Sequence, residues 1–577
     1  MRLGSRSLGS IMLGTILGSS CPAGSVPAKA APMVGTGSPA PIEPAITRPA
    51  GTPCAVRLFS NATFGADTVS FAYAPPAACP GPWAKVVLTA DISVTAGRQF
   101  DRTASMFIGG VNVLFGTTSE PRSTLAPAWH VERDLTDDTA LLRTAQSGHV
   151  LIANYQTSVY TSAITASSTL LFYPATKADP APETPDLVIP LNNDPSQGTT
   201  DLADETQSLS RTGILPSNVE KARIDVLLQS QGGDEFWYTC VPDALSGPLE
   251  TCGGGAFREG LISIDGVKAG VAPVYPWIYT GGIDPYLWQP IPGVQTLAFH
   301  PTSVDLTPFA GVVDDGRPHT VSLSVTGADN RFSVTGTLYL TLDHHGSNLR
   351  GAVTRNTLGA ASPVVTNGVV TTNGESKGTI TTGSTHDYAI SGYLLTSHGP
   401  VVTTVEQTGR FSNAQTFDVT DLLDDQAILQ RTDTVTTVTT KTGSGSSVVA
   451  RASSYPLDVH FRYLVAADGS ATQATTVTQA LESGRLTLGN GIPVTASAIS
   501  ETVSPSDLLS FNAAGAVTAH SGSSSARYLS GDTKTGCITR TETATDSVLS
   551  TMTNTNDCDP GGRLPRQNGS VLTPPAR

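Results

Sequence analysis

The chain has 577 residues, too many for one hydrophobic core, so two to four domains are expected. Only 14% of residues are charged, yet 48 acids against 34 bases leave a formal net charge of −14, a sign that argues against nucleic acid and anionic membrane surfaces as partners. Gly, Thr, Ser and Val are abundant and runs of helical period are hard to find, so the fold class expected is all-β.

Residues 1–30 read as a secretory signal peptide: Arg2 and Arg6 give a positive start, Leu8 to Leu17 is a short apolar stretch, and Ala28-Lys29-Ala30 offers a small-x-small cleavage site. No other stretch reaches the roughly 20 apolar residues of a membrane span. The mature chain is therefore expected to be exported, secreted or periplasmic, and monomeric. Residues 31–50 form a proline-rich leader.

Residues 51–175 make the first expected domain. In "AKVVLTADISV" Val86, Leu88, Ala90, Ile92 and Val94 take one face, while Lys85, Thr89, Asp91 and Ser93 share the other with Val87, which describes a half-buried strand. "GRQFDRTASMFIGG" follows, a strand-like run whose apolar Met106, Phe107 and Ile108 are headed by Asp101 and Arg102. The proline- and acid-rich stretch 176–210 reads as a linker. In a second domain, 211–345, "ARIDVLL", "GLISIDG" and "HTVSLSVTG" read as short strands between turns. "LDHHG" at its end reads as a strand terminus, because neighbouring His344 and His345 point to opposite faces. Residues 346–577, rich in Thr, Ser and Val, are expected to form a separate antiparallel β domain that carries no catalytic residue. There Asp468-Gly469 has the residues of a tight hairpin turn.

Cysteine spacing agrees with export. Setting aside Cys21, which precedes the cleavage site, leaves Cys54, Cys79, Cys240, Cys252, Cys537 and Cys558. Fifteen pairings are possible, but three sequence-local couples, Cys54–Cys79, Cys240–Cys252 and Cys537–Cys558, are the economical choice. None has the CxxC spacing of a zinc site, so the cysteines read as structural.

Three clusters of acidic and aromatic residues stand out before residue 345. The first is "GRQFDR", with Asp101 and Arg102; the second, "TTSEPRSTLAPAWHVERDLTD", holds Glu120, Trp129, Glu132 and Asp134. The third runs from "QGGDEFWYTC" to "PVYPWIYTGGIDPYLWQPIPG" and holds Asp234, Glu235, Trp237, Tyr238, Arg258, Tyr279, Asp284 and Trp288. Rings that stack on sugar faces, beside carboxylates that bond hydroxyls and run acid/base chemistry, are the ingredients of a carbohydrate site. The plain alternative for an Asp-Arg step at a strand end is an ordinary ion pair.

The ordered series "WAKVVL", "GRQFDRTASMFIGGVNV", "TTSEP", "WHVERDLT", "DEFWYT", "GGGAFREGLISIDG", "YTGGIDPYLWQPI" and "VDLTPFAG" resembles the acid-active, A-type peptide-N4-(N-acetyl-β-glucosaminyl)asparagine amidases over roughly residues 54–345, and more faintly the bacterial F-type enzymes. The resemblance implies two adjacent eight-stranded jelly rolls and hydrolysis of the amide joining asparagine to the first N-acetylglucosamine of N-glycosylated peptides and glycoproteins. That hydrolysis needs no metal and no other cofactor, and none is expected. It implies catalytic roles for Asp101, on the attacking water, and for Glu235, in orienting water and sugar or delivering a proton. Arg102, Glu120, Asp234, Trp237, Arg258, Trp129 and Trp288 are the candidates for substrate binding. The third acid of the F-type site has no clear match; register places Gln156 there. A non-catalytic glycan-binding sandwich, or a glycoside hydrolase cutting within the glycan core, are the alternatives.

Overall fold

A computed structural model describes residues 33–533 and 536–556. The expected signal peptide and Cys558 lie outside them. The architecture is all-β, with antiparallel pairing throughout the described sheets.

The first sandwich is built from eight strands. One sheet runs in the order Cys54–Phe64, Ile164–Pro174, Trp83–Val94, Ala128–Asp134, and the facing sheet in the order Val69–Tyr73, Gln146–Ile152, Thr103–Ile108, Val111–Thr117. Counted along the chain, the orders are 1-8-3-6 and 2-7-4-5, the result of rolling one long antiparallel hairpin so that its strands alternate between two sheets. In Trp83–Val94 the alternating residues Val86, Leu88, Ala90, Ile92 and Val94 are all buried, as their period of two requires. Val87, on the opposite face, is buried too, packed with Leu171, Tyr173 and Ile46.

A second sandwich repeats this connectivity. Thr200–Leu202, Phe332–Leu342, Val219–Ser230 and Thr302–Asp305 form one sheet, and Leu209–Ile214, Pro318–Thr326, Glu259–Ile264 and Val267–Pro273 the other. The proline-rich stretch read as a linker supplies Thr200–Leu202 and a further strand, Leu187–Pro190, that pairs with Phe332–Leu342. Prolines are tolerated there because these are edge strands. The two sandwiches meet closely. Thr117 N–H donates to Thr296 O at 2.9 Å, and a Cβ on Gly116 would stand 2.3 Å from Leu297 O, so this contact requires glycine.

Beyond residue 350 lies one twelve-stranded sheet. From Glu375–Thr396 to Val548–Thr555 each strand pairs with its sequence neighbour, and several exceed 19 residues. Gly469, at φ +80°, turns one of these hairpins, at the Asp468-Gly469 step. The sheet does not build its core alone: Ile390, Phe411, Ile428, Tyr455, Val477 and Val503 belong to the same apolar cluster as Trp237, Tyr275 and Ile278 of the second sandwich. Asn413 Nδ2 donates to Tyr238 O at 2.8 Å and Gln479 Nε2 to Pro276 O at 2.7 Å. Sequence texture separates this region from the sandwiches; packing joins them.

The leader is also part of the fold. Ala40 and Ile42 are buried in the core of the second sandwich, and Ala40 N–H donates to Pro290 O at 2.8 Å. Gly35 N–H donates to Leu549 O at 2.8 Å, and Leu549 N–H returns a bond of 2.9 Å to Thr36 O. Disulfides join Cys54 to Cys79 and Cys240 to Cys252.

Candidate active site

Asp101 lies in the loop between Trp83–Val94 and Thr103–Ile108, two residues before the strand begins, so the apolar run Ala104–Ile108 anchors it from behind. Arg102 N–H donates to Thr118 Oγ1 at 2.9 Å, and the Arg102 guanidinium to Gln99 Oε1 at 2.6 Å; Gln99 is itself held by Asn154 at 2.5 Å. Two loops close over the acid. Glu120 Oε1 accepts the backbone N–H of Asp101 at 3.2 Å, and Gly281, from the second sandwich, donates its N–H to Asp101 Oδ2 at 3.1 Å. A Cβ on Gly281 would stand 2.6 Å from Glu120 Oε1 and 2.7 Å from Asp101 Oδ1, so two carboxylates and one backbone amide occupy a single corner. Thr280 Oγ1, bonded to Thr118 O at 2.6 Å, pins that corner across the seam.

Glu235 enters from the second sandwich, after a short 3-10 turn over Gly232–Asp234. Gln231 Nε2 reaches across to Thr103 Oγ1 at 2.8 Å, bringing this turn to the head of the strand that follows Asp101. Burial raises the pKa of Asp101, against the opposing pull of the Gly281 N–H and the Arg102 charge. Glu120 and Glu235 are each pushed up to about 7, first by burial and then by the charge of Asp101. The charge of Asp101 thus bears on both glutamates, while its own ionised form is favoured by the Gly281 N–H and Arg102 and opposed by burial.

The remaining candidates fall elsewhere. Asp234 and Arg258 form a buried ion pair at 2.7 Å, with side chains 1% and 0% exposed, and Asp234 Oδ2 also accepts the N–H groups of Asp329, Asn330 and Arg331. They hold the turn that carries Glu235 and present no face to solvent. Trp129 sits in the core of the first sandwich and Trp237 in that of the second. Trp288 is buried as well, but its Nε1–H donates to Gly282 O at 2.8 Å and so braces the loop of Gly281. Gln156, exposed, donates to Thr161 O at 3.1 Å.

The open aromatic surface is a different one. Phe100, 45% exposed and adjacent to Asp101, has its ring 4.7 Å from that of Tyr160; Arg98 lies 5.3 Å from the Tyr160 ring and Arg102 5.9 Å from that of Phe100. The only hint of it in the sequence is the position of Phe100 one residue before Asp101, out of step with the core run.

Asp101, Glu120 and Glu235, set between two antiparallel sandwiches beside an exposed aromatic shelf, make a site equipped for general acid and base chemistry. The chain belongs to the peptide N-acetyl-beta-D-glucosaminyl asparaginase amidase A family, whose profile matches residues 43–356. It is 29% identical over 393 residues to the peptide-N4-(N-acetyl-beta-glucosaminyl)asparagine amidase A of Prunus dulcis, covering 65% of this chain and 68% of that one. Among solved structures it is similar to PNGF-II (TM-score 0.35, 13% identity, 51% of this chain and 66% of that one). It is also similar to PNGase F, a glycosylasparaginase from Flavobacterium meningosepticum (TM-score 0.34, 13% identity, 51% and 96%).

Proposed function

We infer that the chain hydrolyses the amide between asparagine and the first N-acetylglucosamine of N-linked glycans. The observation that carries this, beside family membership, is the corner where Asp101, Glu120 and the Gly281 amide meet, with Glu235 facing it. Asp101 accepts the Gly281 N–H and lies beside Arg102, both of which favour its carboxylate against burial, and in this reading it takes a proton from the attacking water. Oxygen bonds to the side-chain carbonyl carbon. Glu235, protonated below about 7, gives its proton to the departing nitrogen as the carbon–nitrogen bond breaks. Aspartate remains in the peptide, and the released glycosylamine loses ammonia to water, leaving the free glycan.

Phe100 and Tyr160 provide a stacking shelf for sugar or peptide beside the reacting amide. Trp288 supports the site from behind, while Asp234 and Arg258 hold the Glu235 turn. The two disulfides favour an oxidising compartment, in keeping with secretion or export to a periplasm. Among the described residues, no helix is long and apolar enough to cross a membrane.

Incubating the protein with one defined N-glycopeptide in ¹⁸O-labelled water tests this reading. The expected product is a peptide in which asparagine has become aspartate carrying one ¹⁸O. An unchanged glycopeptide, or a peptide retaining one N-acetylglucosamine, overturns it.

A further inference from the structure

The loop that delivers the Gly281 N–H to Asp101 is itself held from outside both sandwiches. Ile283, in this loop, is β-branched and has φ +63°, a left-handed conformation that such a side chain adopts only where its surroundings impose it. The next residue, Asp284, is 2% exposed. Its Oδ1 accepts Tyr286 N–H at 2.9 Å, and its Oδ2 accepts Gln473 Nε2 of the long sheet at 3.3 Å. Its carboxyl also faces that of Asp507, on the strand Ile492–Phe511 of the same sheet, itself 6% exposed.

Two buried carboxyls that face each other hold together through a shared proton and repel when both are ionised. The charged and titratable groups facing the pair are His520, whose Nε2 is 2.7 Å from Asp507 Oδ1, and Asp546, which also accepts the Gly522 N–H at 3.0 Å. Tyr286 stacks on His520 at 4.4 Å and faces Arg122. Gly522 leaves room for the cluster: a Cβ there would stand 2.7 Å from Asp507 Oδ1.

We propose that Asp284 and Asp507 form an acid–acid clamp through which the long sheet holds the Gly281 loop against Asp101, making Asp507 a positioning residue for the reaction. The proposal rests on the amidase reading of the site. Asp284 is pushed up to about 7, chiefly by burial and then by the facing carboxyl of Asp507, so the bridging proton is present in acid. As pH rises through that range both groups ionise, repel one another and release the loop. This runs opposite to what the site alone would do, because ionising Asp101 strengthens its hold on the Gly281 N–H.

The test uses the full chain and two readouts. Amide hydrogen exchange of residues 278–288, corrected for intrinsic rates, is compared at about pH 5 and pH 8, and kcat on an N-glycopeptide is followed across the same range. Wild-type protection is expected to fall as pH rises. Asp507→Asn, whose amide donates at every pH, keeps protection at pH 8, while the alkaline limb of kcat near pH 7, set by Glu235, stays in place. Asp507→Leu loses protection at both pH values and loses about tenfold or more in kcat at pH 5, as displacement of the Gly281 amide implies. Wild-type protection that does not change with pH, or Asn and Leu variants that behave alike, overturns the clamp. Should the Leu variant not fold, the wild-type and Asn comparison decides. Exchange behaving as expected in a chain that turns over no glycopeptide refutes the amidase reading and leaves the clamp standing.

Discussion

Gly281→Ala is the sharpest probe of the corner where the acids meet. The added methyl would sit 2.6 Å from Glu120 Oε1 and 2.7 Å from Asp101 Oδ1, so ordinary contact at 3.4 Å demands a retreat of about 0.7–0.8 Å by both oxygens or by the loop. Either movement also stretches the 3.1 Å bond from Gly281 N–H to Asp101, and a hydrogen bond to a charged group contributes about 1.5–3 kcal/mol. Misplacement of this size costs up to roughly 10²-fold in rate. The expected result is therefore a kcat lowered about 10- to 100-fold, measured by mass spectrometry of a glycopeptide under single-turnover conditions. The melting temperature should stay close to wild type, because the clash falls on side-chain ends at a cleft rather than on packed core. A folded Gly281→Ala protein with wild-type kcat would show that Asp101 and Glu120 need not hold their places, and would refute the assignment of the corner as the reacting centre.

Asp101→Asn keeps the shape but removes the basic oxygen, so turnover should fall by roughly 10²–10⁴-fold while the protein stays folded; near wild-type turnover would return Asp101 to the role of a strand-end ion-pair partner. Glu235→Gln should lower kcat less and flatten the alkaline limb near pH 7, read from a kcat profile against pH. Phe100→Ala should raise KM about tenfold with kcat nearly unchanged, since an open ring contributes binding area and no proton; an unaltered KM would remove the aromatic shelf from the substrate path. Thermal stability should be greater at pH 5 than at pH 8. Glu43, Glu120, Glu235, Asp284, Asp314 and Glu542 are all raised to about 7, mainly by burial, so between about pH 4 and 7 the folded chain binds more protons than the unfolded chain and loses stability as pH rises. A melting temperature that climbs from pH 5 to pH 8 would contradict that burial pattern.

What could be read in the sequence was what short-range periodicity and local spacing encode. The alternation in Trp83–Val94, the Asp101 carboxyl at the head of a core strand, the Asp468-Gly469 turn and the two sequence-local disulfides are all local events. The aromatics were harder, because a tryptophan near carboxylates in sequence can back a site as readily as face it. Trp129, Trp237 and Trp288 are buried behind or away from the cleft, and the exposed ring adjacent to Asp101 is Phe100. Likewise Asp234 lies one residue before Glu235, yet its oxygens are taken by Arg258 and by the N–H groups of residues 329–331, which no local pattern announces. Asp284 and Asp507 meet only because a Thr-rich sheet lacks a second layer until the second sandwich supplies one. Composition marks such a sheet as different without saying what covers it.

The exchange of bonds between Gly35, Thr36 and Leu549 sets a timetable for the chain's birth. Ribosomes make the N-terminus first, so the segment that ends in the buried Ala40 and Ile42 emerges before nearly everything it will touch, and its partner at Leu549 emerges almost last. The segment thus has two seats made at different times: the second sandwich, with Pro290, is synthesised well before Leu549. The bonds at Gly35 and Thr36 can close only after Leu549 is made, so cleavage between Thr36 and Ala40 before then would leave the second sandwich its Ala40 and Ile42 while cutting the tie to the long sheet.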